Sequence, residues 1–412
     1  MKSRKFLTGF VFTVICSLLT VAAFNAVVNP FGVINTEVLG WHSYNFTQNP
    51  RTAKISYLDK NYHKYNAYIV GSSGASGFPT WKLDQYNKKR NYNLFYYGAD
   101  MLDTLNTVIY ITENYEVDEI LMPLSFSSAL AYNSQNDDLY YSMDCKVDRS
   151  SPAAFYSKYL LANPRYAIEK IRSIFRDSYF PKSFDVFIPE NGLYDKRLRD
   201  VEYLGTVEEY MEKFQEFKQE NTQVHHMTFL EEAMDSVKKI KSICDSKGIK
   251  LTVVLIPLYE GYLQQFSQED IELFYRSLNK ITGFWDFTYS SVSKDPRYFY
   301  DPGHFRNAVG EMMLARIYGD TGIYIPDDFG VYVEQNNLSF GNLNIGKRNS
   351  VHPESGICDG EISRKVPILL FHHFEEVAVP GNNSVLSKQK MVEILNYLKK
   401  NGYTTITFDD LE

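Results

Sequence analysis

At 412 residues the chain exceeds one typical domain, and 44% hydrophobic, 15% aromatic and 23% charged residues exclude a disordered, collagen-like or polytopic membrane protein. Lys and Arg total 43 against 50 Asp and Glu, a formal charge of −7 that argues against nucleic acid as the main partner. The charge is uneven: residues 1–28 hold Lys2, Arg4 and Lys5 and no acid, so the total divides into +3 there and −10 over the rest.

No charged side chain occurs between Lys5 and Glu37, and Phe6 to Val28 is long enough to cross a bilayer as a helix of roughly 20 residues. The basic flank predicts a cytoplasmic N-terminus and an exported remainder. A cleaved signal peptide is the rival reading, with Val21-Ala22-Ala23 as a weak small-residue site. The apolar run is longer than the usual signal-peptide core and favours an uncleaved single-pass cell-membrane anchor. Cys16 lies in this run. Cys145, Cys244 and Cys358 are an odd number without CxxC spacing, so neither a disulfide framework nor a structural zinc site is expected. One pair could still form in an oxidising compartment.

From about Asn61 the pattern alternates strand, loop and helix. Ala67 to Val70 is an apolar run ending at Gly71, Met101 to Asn114 has helical spacing, and Glu119 to Met122 is a second run closed by Pro123. Thr228-Phe229-Leu230-Glu231 reads as a capping box opening a helix that Gly248 closes, and Leu251 to Ile256 follows as a buried strand. This alternation predicts an α/β fold with a mainly parallel sheet between helices. Residues 132–223 interrupt it with amphipathic helical segments from Ala153 to Ile174 and a polar stretch, read as an insertion over the ligand edge. A last helix, Ala308 to Tyr318, closes a domain spanning 29–334. Residues 335–362 are a linker by composition, and Val366 to Phe371, Ser387 to Lys400 and Thr404 to Phe408 predict strand, helix and strand in a segment spanning 363–412.

Gly71-Ser72-Ser73-Gly74 directly follows the first strand, where the loops of a parallel sheet border a ligand crevice. Asp301-Pro302-Gly303-His304 directly precedes the last helix of that domain. A serine becomes a strong nucleophile when an imidazole accepts its proton and a carboxylate orients that imidazole, and Asp301 with His304 can supply both groups to Ser73. A plain turn, with Asp301 capping the helix, is the competing reading. His225-His226 has no carboxylate spaced to complete a metal site and reads as surface. The 32 Tyr and 28 Phe could stack on sugars, although core packing accounts for such abundance more simply.

Together these blocks resemble the SGNH (GDSL-like) hydrolase family, in its membrane-anchored branch concerned with cell-envelope acylation, over about residues 29–320. The resemblance implies a three-layer flavodoxin-type sheet, Ser73 as nucleophile, and Asp301 and His304 as its partners. It also implies an oxyanion hole from the amides of Ser73 and of Gly98, which ends Asn93-Leu94-Phe95-Tyr96-Tyr97-Gly98. Asn29-Pro30-Phe31-Gly32 and the basic pair of Arg51-Thr52-Ala53-Lys54 look like the same branch. The family's G-x-N-D block is absent. Met122-Pro123-Leu124-Ser125-Phe126 stands there, leaving Ser125 as the substitute donor. The implied activity is an extracytoplasmic esterase or O-acyltransferase acting, without a cofactor, on acyl groups of a bacterial cell-envelope polysaccharide. A catalytically degenerate carbohydrate-binding module is an alternative.

Val366 to Phe374 and the Asn401 to Thr407 stretch look like the opening of a NodB-homology polysaccharide deacetylase, a (β/α) barrel type that holds a divalent metal through Asp and His. On that resemblance His372 and His373 line a deacetylase pocket. Thr407-Phe408-Asp409-Asp410 is not read as the family's metal motif, because Leu411 replaces its Gly and no H-x-x-x-H pair follows. No metal site is therefore expected in this chain, and the segment reads as the beginning of a longer metal-dependent N-deacetylase domain.

Overall fold

The alternation of short apolar runs with amphipathic helices produces a six-stranded sheet in the computed structural model, which describes residues 2–34, 49–133, 139–174, 186–200, 204–218, 224–341, 373–375 and 385–400. Its strands are β1 (Ala67–Gly71), β2 (Asn91–Phe95), β3 (Glu119–Leu124), β4 (Lys250–Leu255), β5 (Phe284–Asp286) and β6 (Val331–Val333). The spatial order is β2-β1-β3-β4-β5-β6. The first five are parallel and β6 pairs antiparallel with β5, so the sheet is mixed. The 2-1-3-4-5 order is that of doubly wound sheets whose ligands sit beyond the strands' carboxyl ends. Every residue of β1, β2 and β3 is buried, which explains why β1 and β3 read as continuous rather than alternating apolar runs, whereas Asn91 and Asn93 keep β2 from reading as a strand.

The main helices are α1 (Lys2–Val28), α2 (Pro50–Asn61), α3 (Thr80–Asn87), α4 (Met101–Asn114), α5 (Leu230–Lys247), α6 (Gln268–Ile281) and α7 (Asn307–Tyr318). One face of the sheet, carrying Tyr68, Val70, Leu94, Ile120, Met122, Val253 and Leu255, shares a core with α4, α5 and α6. On α4 the buried Leu105, Val108 and Ile111 follow helical spacing, and Asp100 closes a capping box with Asp103. On α5 the stripe runs through Ala233, Met234, Val237, Ile240 and Cys244 and ends at Gly248, whose φ of +68° makes the left-handed cap.

Two local expectations change. The Thr228 capping box does not form: the helix starts after Phe229, and Thr228 Oγ1 donates to the His226 carbonyl (3.3 Å). Strand β3 runs through Pro123 to Leu124 instead of stopping before it. Its pairing with β1 ends at Leu121 while that with β4 continues to Leu124, so the proline falls where only one neighbour remains.

Helix α1 is exposed along Phe6 to Leu19, and Arg4–Val28 is long and apolar enough to cross a membrane or to serve as a signal sequence. Its last turns are part of the globular unit. The Asn25 amide donates to the carbonyls of Leu160 (2.9 Å) and Ala162 (2.8 Å), and Lys170 Nζ donates to the Asn29 carbonyl (3.0 Å). Phe31 and Val33 then pack with Phe155, Tyr159 and Ala162. The helical stretch expected from Ala153 is two helices, Pro152–Leu160 and Arg165–Ile174, separated at Pro164.

The chain divides into one unit of Met1–Asp195 with Gly205–Ile345 and another of Lys196–Leu204 with Gly346–Glu412. In the second, His373–Glu375 pairs parallel with Val385–Ser387, and a helix follows over Lys388–Lys400. The strands expected at Val366 to Phe371 and Thr404 to Phe408 lie outside the described residues.

Behind the carboxyl end of β1, a Cβ at Gly310 of α7 would lie 1.8 Å from the Gly77 carbonyl oxygen. Backbone cannot yield as a flexible side chain can, so Gly310→Ala is expected to lower stability by about 1–3 kcal/mol, read as a fall in the urea midpoint in detergent.

Candidate active site

Chain geometry at the end of β1 exposes Ser73. After Gly71 the backbone stays extended at Ser72 and turns into a 3₁₀ segment, Ser73–Gly77, whose first internal bond runs from the Ala75 amide to the Ser72 carbonyl (2.9 Å). The amides of Ser73 and Gly74 therefore open the turn at its N-terminal end. Three glycines let neighbours close around it. A Cβ would meet the Pro123 carbonyl at 3.0 Å from Gly71, Ile256 Cδ1 at 2.2 Å from Gly74 and the Phe305 ring at 2.3 Å from Gly77.

Asp301 and His304 come from a tight hairpin in which Phe299–Asp301 pairs with His304–Phe305. Phe305 anchors it edge-on against Phe78, and the Tyr259 amide donates to the Pro302 carbonyl (3.0 Å). The expected helix cap at Asp301 is not used: α7 starts after Arg306, and the Asp301 carboxylate faces the imidazole. His304 Nδ1 lies 2.8 and 2.9 Å from the two Asp301 oxygens, and the Gly303 amide donates to Oδ1 (2.9 Å). His304 Nε2 lies 2.8 Å from Ser73 Oγ. The carboxylate places the proton on Nδ1, which leaves Nε2 as the acceptor for the serine hydroxyl. Side chains of His304 and Asp301 are 35% and 40% exposed, so this pair adds little to stability and its effect is orientation.

A cleft of about 210 Å³ opens over Ser73, walled by Ala75, Ala99, Pro123, Leu124, Ile256 and Tyr262. Ser72, Ser125, Ser127, Ser128, Gly303 and His304 also line it. Ser125 thus stands on the cleft, but its amide donates to Ser128 Oγ (3.2 Å), and no asparagine lines the cleft among the described residues. Gly98 is exposed with φ of +61°, next to Ala99, the residue of that loop that lines the cleft. None of the described residues of 132–223 lines the cleft, contrary to the expectation of a cover. Instead, Tyr210 in that stretch buttresses the hairpin from behind, its hydroxyl donating to the Phe299 carbonyl (2.6 Å).

Sequence reasoning missed Tyr262, whose hydroxyl lies 3.3 Å from Ser127 Oγ, and Ile256, which fills the space above Gly74. Both follow β4, at the same carboxyl edge of the sheet as Ser73, and that position was the available signal. His225 contacts Gln265 (3.2 Å) and His226 contacts Asp270 (3.1 Å), local pairs outside the cleft. His373 belongs to the second unit, and His372 lies outside the described residues. Among the described residues no cluster of three or more His, Cys, Asp or Glu could hold a metal ion. Cys145 and Cys244 are buried free thiols.

No family model matches the chain, and no curated protein matches it. The chemical reading therefore rests on the geometry. A hydroxyl, an imidazole and a carboxylate in line can remove a proton from Ser73 as it attacks and return it to a leaving group. Ser73 is expected to form a covalent adduct with a fluorophosphonate probe, mapped by peptide mass spectrometry, and His304→Ala is expected to slow the labelling at least about 100-fold.

Proposed function

We propose that the protein is an extracytoplasmic serine esterase or O-acyltransferase of the SGNH type, acting on acyl groups of a bacterial cell-envelope polysaccharide. The observation that carries this reading is the continuous Ser73–His304–Asp301 relay beside a small open cleft at the carboxyl edge of a parallel sheet. In it, Ser73 Oγ attacks the ester carbonyl and passes its proton to His304 Nε2. The tetrahedral intermediate collapses to an acyl-serine as His304 protonates the departing sugar oxygen. Water or a second sugar hydroxyl then reverses the sequence, and transfer differs from hydrolysis only in that acceptor. The amides of Ser73 and Gly98 are assigned to the oxyanion, with the Ser125 hydroxyl at the block where the family carries asparagine. No cofactor enters the sequence.

The small cleft supports a short acyl group. At about 210 Å³ it is smaller than the roughly 300–1,000 Å³ usual for sites that enclose a drug-sized ligand. The fastening of Asn25 and Asn29 to the globular unit supports an uncleaved anchor, because Ala22 and Ala23 lie inside a helix that continues to Val28. N-terminal sequencing of membrane-extracted protein is expected to find residues before Ala23.

A second reading, a binding module with a degenerate site, is favoured by one observation: among the described residues no asparagine lines the cleft where the family carries one, and Ser125 stands there instead. The two readings separate in turnover of an acetyl ester by the purified protein. The esterase reading expects measurable turnover, its loss in Ser73→Ala, and a fall of about 10³- to 10⁴-fold in Asp301→Asn, where the imidazole takes the wrong tautomer. Turnover unchanged in Ser73→Ala would refute the mechanism. Of the two groups assigned to the deacetylase reading of the C-terminal segment, His373 lies in a described strand and His372 lies outside the described residues.

A further inference from the structure

We infer that Arg51 and Lys54 are positioning residues, holding the loop after β2 so that the Gly98 amide, assigned to the oxyanion, is aimed at the Ser73 cleft; this rests on the esterase reading above.

Both cations lie on α2, three residues apart and hence on one face of the helix, and both are buried, Arg51 at 3% and Lys54 at 0% exposure. Removing two cations from water is costly, so each needs strong partners. Arg51 Nη1 pairs with Asp103 (2.7 Å), and its Nη2 donates to the Tyr97 carbonyl (3.0 Å). Lys54 Nζ donates to the Phe95 carbonyl (2.5 Å) and lies 3.5 Å from the centre of the Phe95 ring. Burial pushes the Lys54 amine well below its ordinary range. The helix carrying them is itself fixed at its start, where Asn49 caps the amides of Arg51 and Thr52 and its own amide nitrogen donates to Ser142 (2.7 Å) and Tyr159 (2.8 Å).

The carbonyls they bind are those of two consecutive control points in the loop. In a trans peptide the C=O and the next N–H point in opposite directions. Holding the Phe95 carbonyl towards Lys54 turns the Tyr96 amide away from it, and that amide donates to the Gly71 carbonyl (3.1 Å), two residues before Ser73. Holding the Tyr97 carbonyl towards Arg51 fixes in the same way the direction of the Gly98 amide, the assigned oxyanion donor. Gly98 has φ of +61°, a conformation that turns the chain sharply into Ala99 on the cleft wall. The guanidinium of Arg51, a charged donor, holds its carbonyl more firmly than a neutral one would. Neither side chain lines the Ser73 cleft, so any effect on chemistry passes through the loop.

The test uses full-length protein in detergent and two variants, Lys54→Met, which keeps the buried volume, and Arg51→Lys, which keeps a cation beside Asp103 but loses the fork. Active sites are titrated with the fluorophosphonate probe, so that misfolded protein does not count. The expected result is kcat per titrated site lower by about 10-fold or more with KM within about twofold, the signature of a displaced oxyanion donor. Hydrogen exchange of the 96–99 backbone is expected to speed up, with that of α4 beyond its first turn unchanged. Wild-type kcat per site in both variants overturns the inference, even if their thermal stability falls, since that is the outcome of a brace with no part in the chemistry. Unchanged exchange overturns it as well. Wild-type protein that neither labels nor turns over the ester overturns the esterase reading itself, and exchange alone then decides whether the two cations hold the loop.

Discussion

The close approach of two backbone segments and the Phe305 ring around the Ser73 turn is the constraint on which the site depends. Helix α7, the Asp301–His304 hairpin and the end of β3 all reach the turn at distances that a single Cβ would block, at Gly310, Gly77 and Gly71 respectively. Protein interiors close-pack, so a methyl group inserted into such contacts displaces backbone. The 2.8 Å separation of His304 from Ser73, two groups 231 positions apart in the chain, is set by this packing. The ion pair contributes little binding energy to that arrangement, since the His304 and Asp301 side chains are both more than a third exposed.

Electrostatics divides the site in two. On the hairpin side, a partly exposed carboxylate and imidazole keep access to water. On the β2 side, two buried cations act on backbone carbonyls and are kept away from the cleft. The partition keeps positive charge out of direct contact with the serine while still using it to stiffen the facing loop. Backbone amides, whose directions are fixed by their peptide planes, are the kind of donor that gains most from such stiffening.

Much of this was legible in the sequence. Continuous apolar runs at Ala67 and Glu119 gave buried parallel strands, and Gly248 marked a helix end that occurs where expected. The Ser73 and Asp301-x-x-His304 blocks were legible because each follows or precedes a recognisable element. Other features depend on distant partners. Pro123 inside β3 depends on β1 diverging beyond Leu121, which no local pattern records. Thr228 lost its cap because the helix starts after Phe229, whose amide donates to the Ala129 carbonyl of another loop. Residues 132–223 read as a cover for the cleft partly on their amphipathic segments from Ala153 to Ile174, but amphipathicity says that a helix has an apolar face and not what that face meets. In the fold it meets the end of α1. The purpose of Arg51 and Lys54 was hidden for the same reason: a charge pair in sequence reads as surface until its carbonyl partners are known.

The junction of α1 with the globular unit has a consequence for how far the site can travel. A domain on a flexible stalk tilts and samples a dome of positions above a bilayer. Here Asn25 and Asn29 leave no such hinge, since the helix enters the fold before it ends. With α1 spanning a membrane, the domain moves only as that helix rotates, tilts and diffuses, which keeps Ser73 in a narrower layer parallel to the surface than a flexible stalk would. On the esterase reading proposed above, polymer segments would then be sorted by the height at which they present their acyl groups, a selection made by the geometry of attachment and not by any contact inside the cleft.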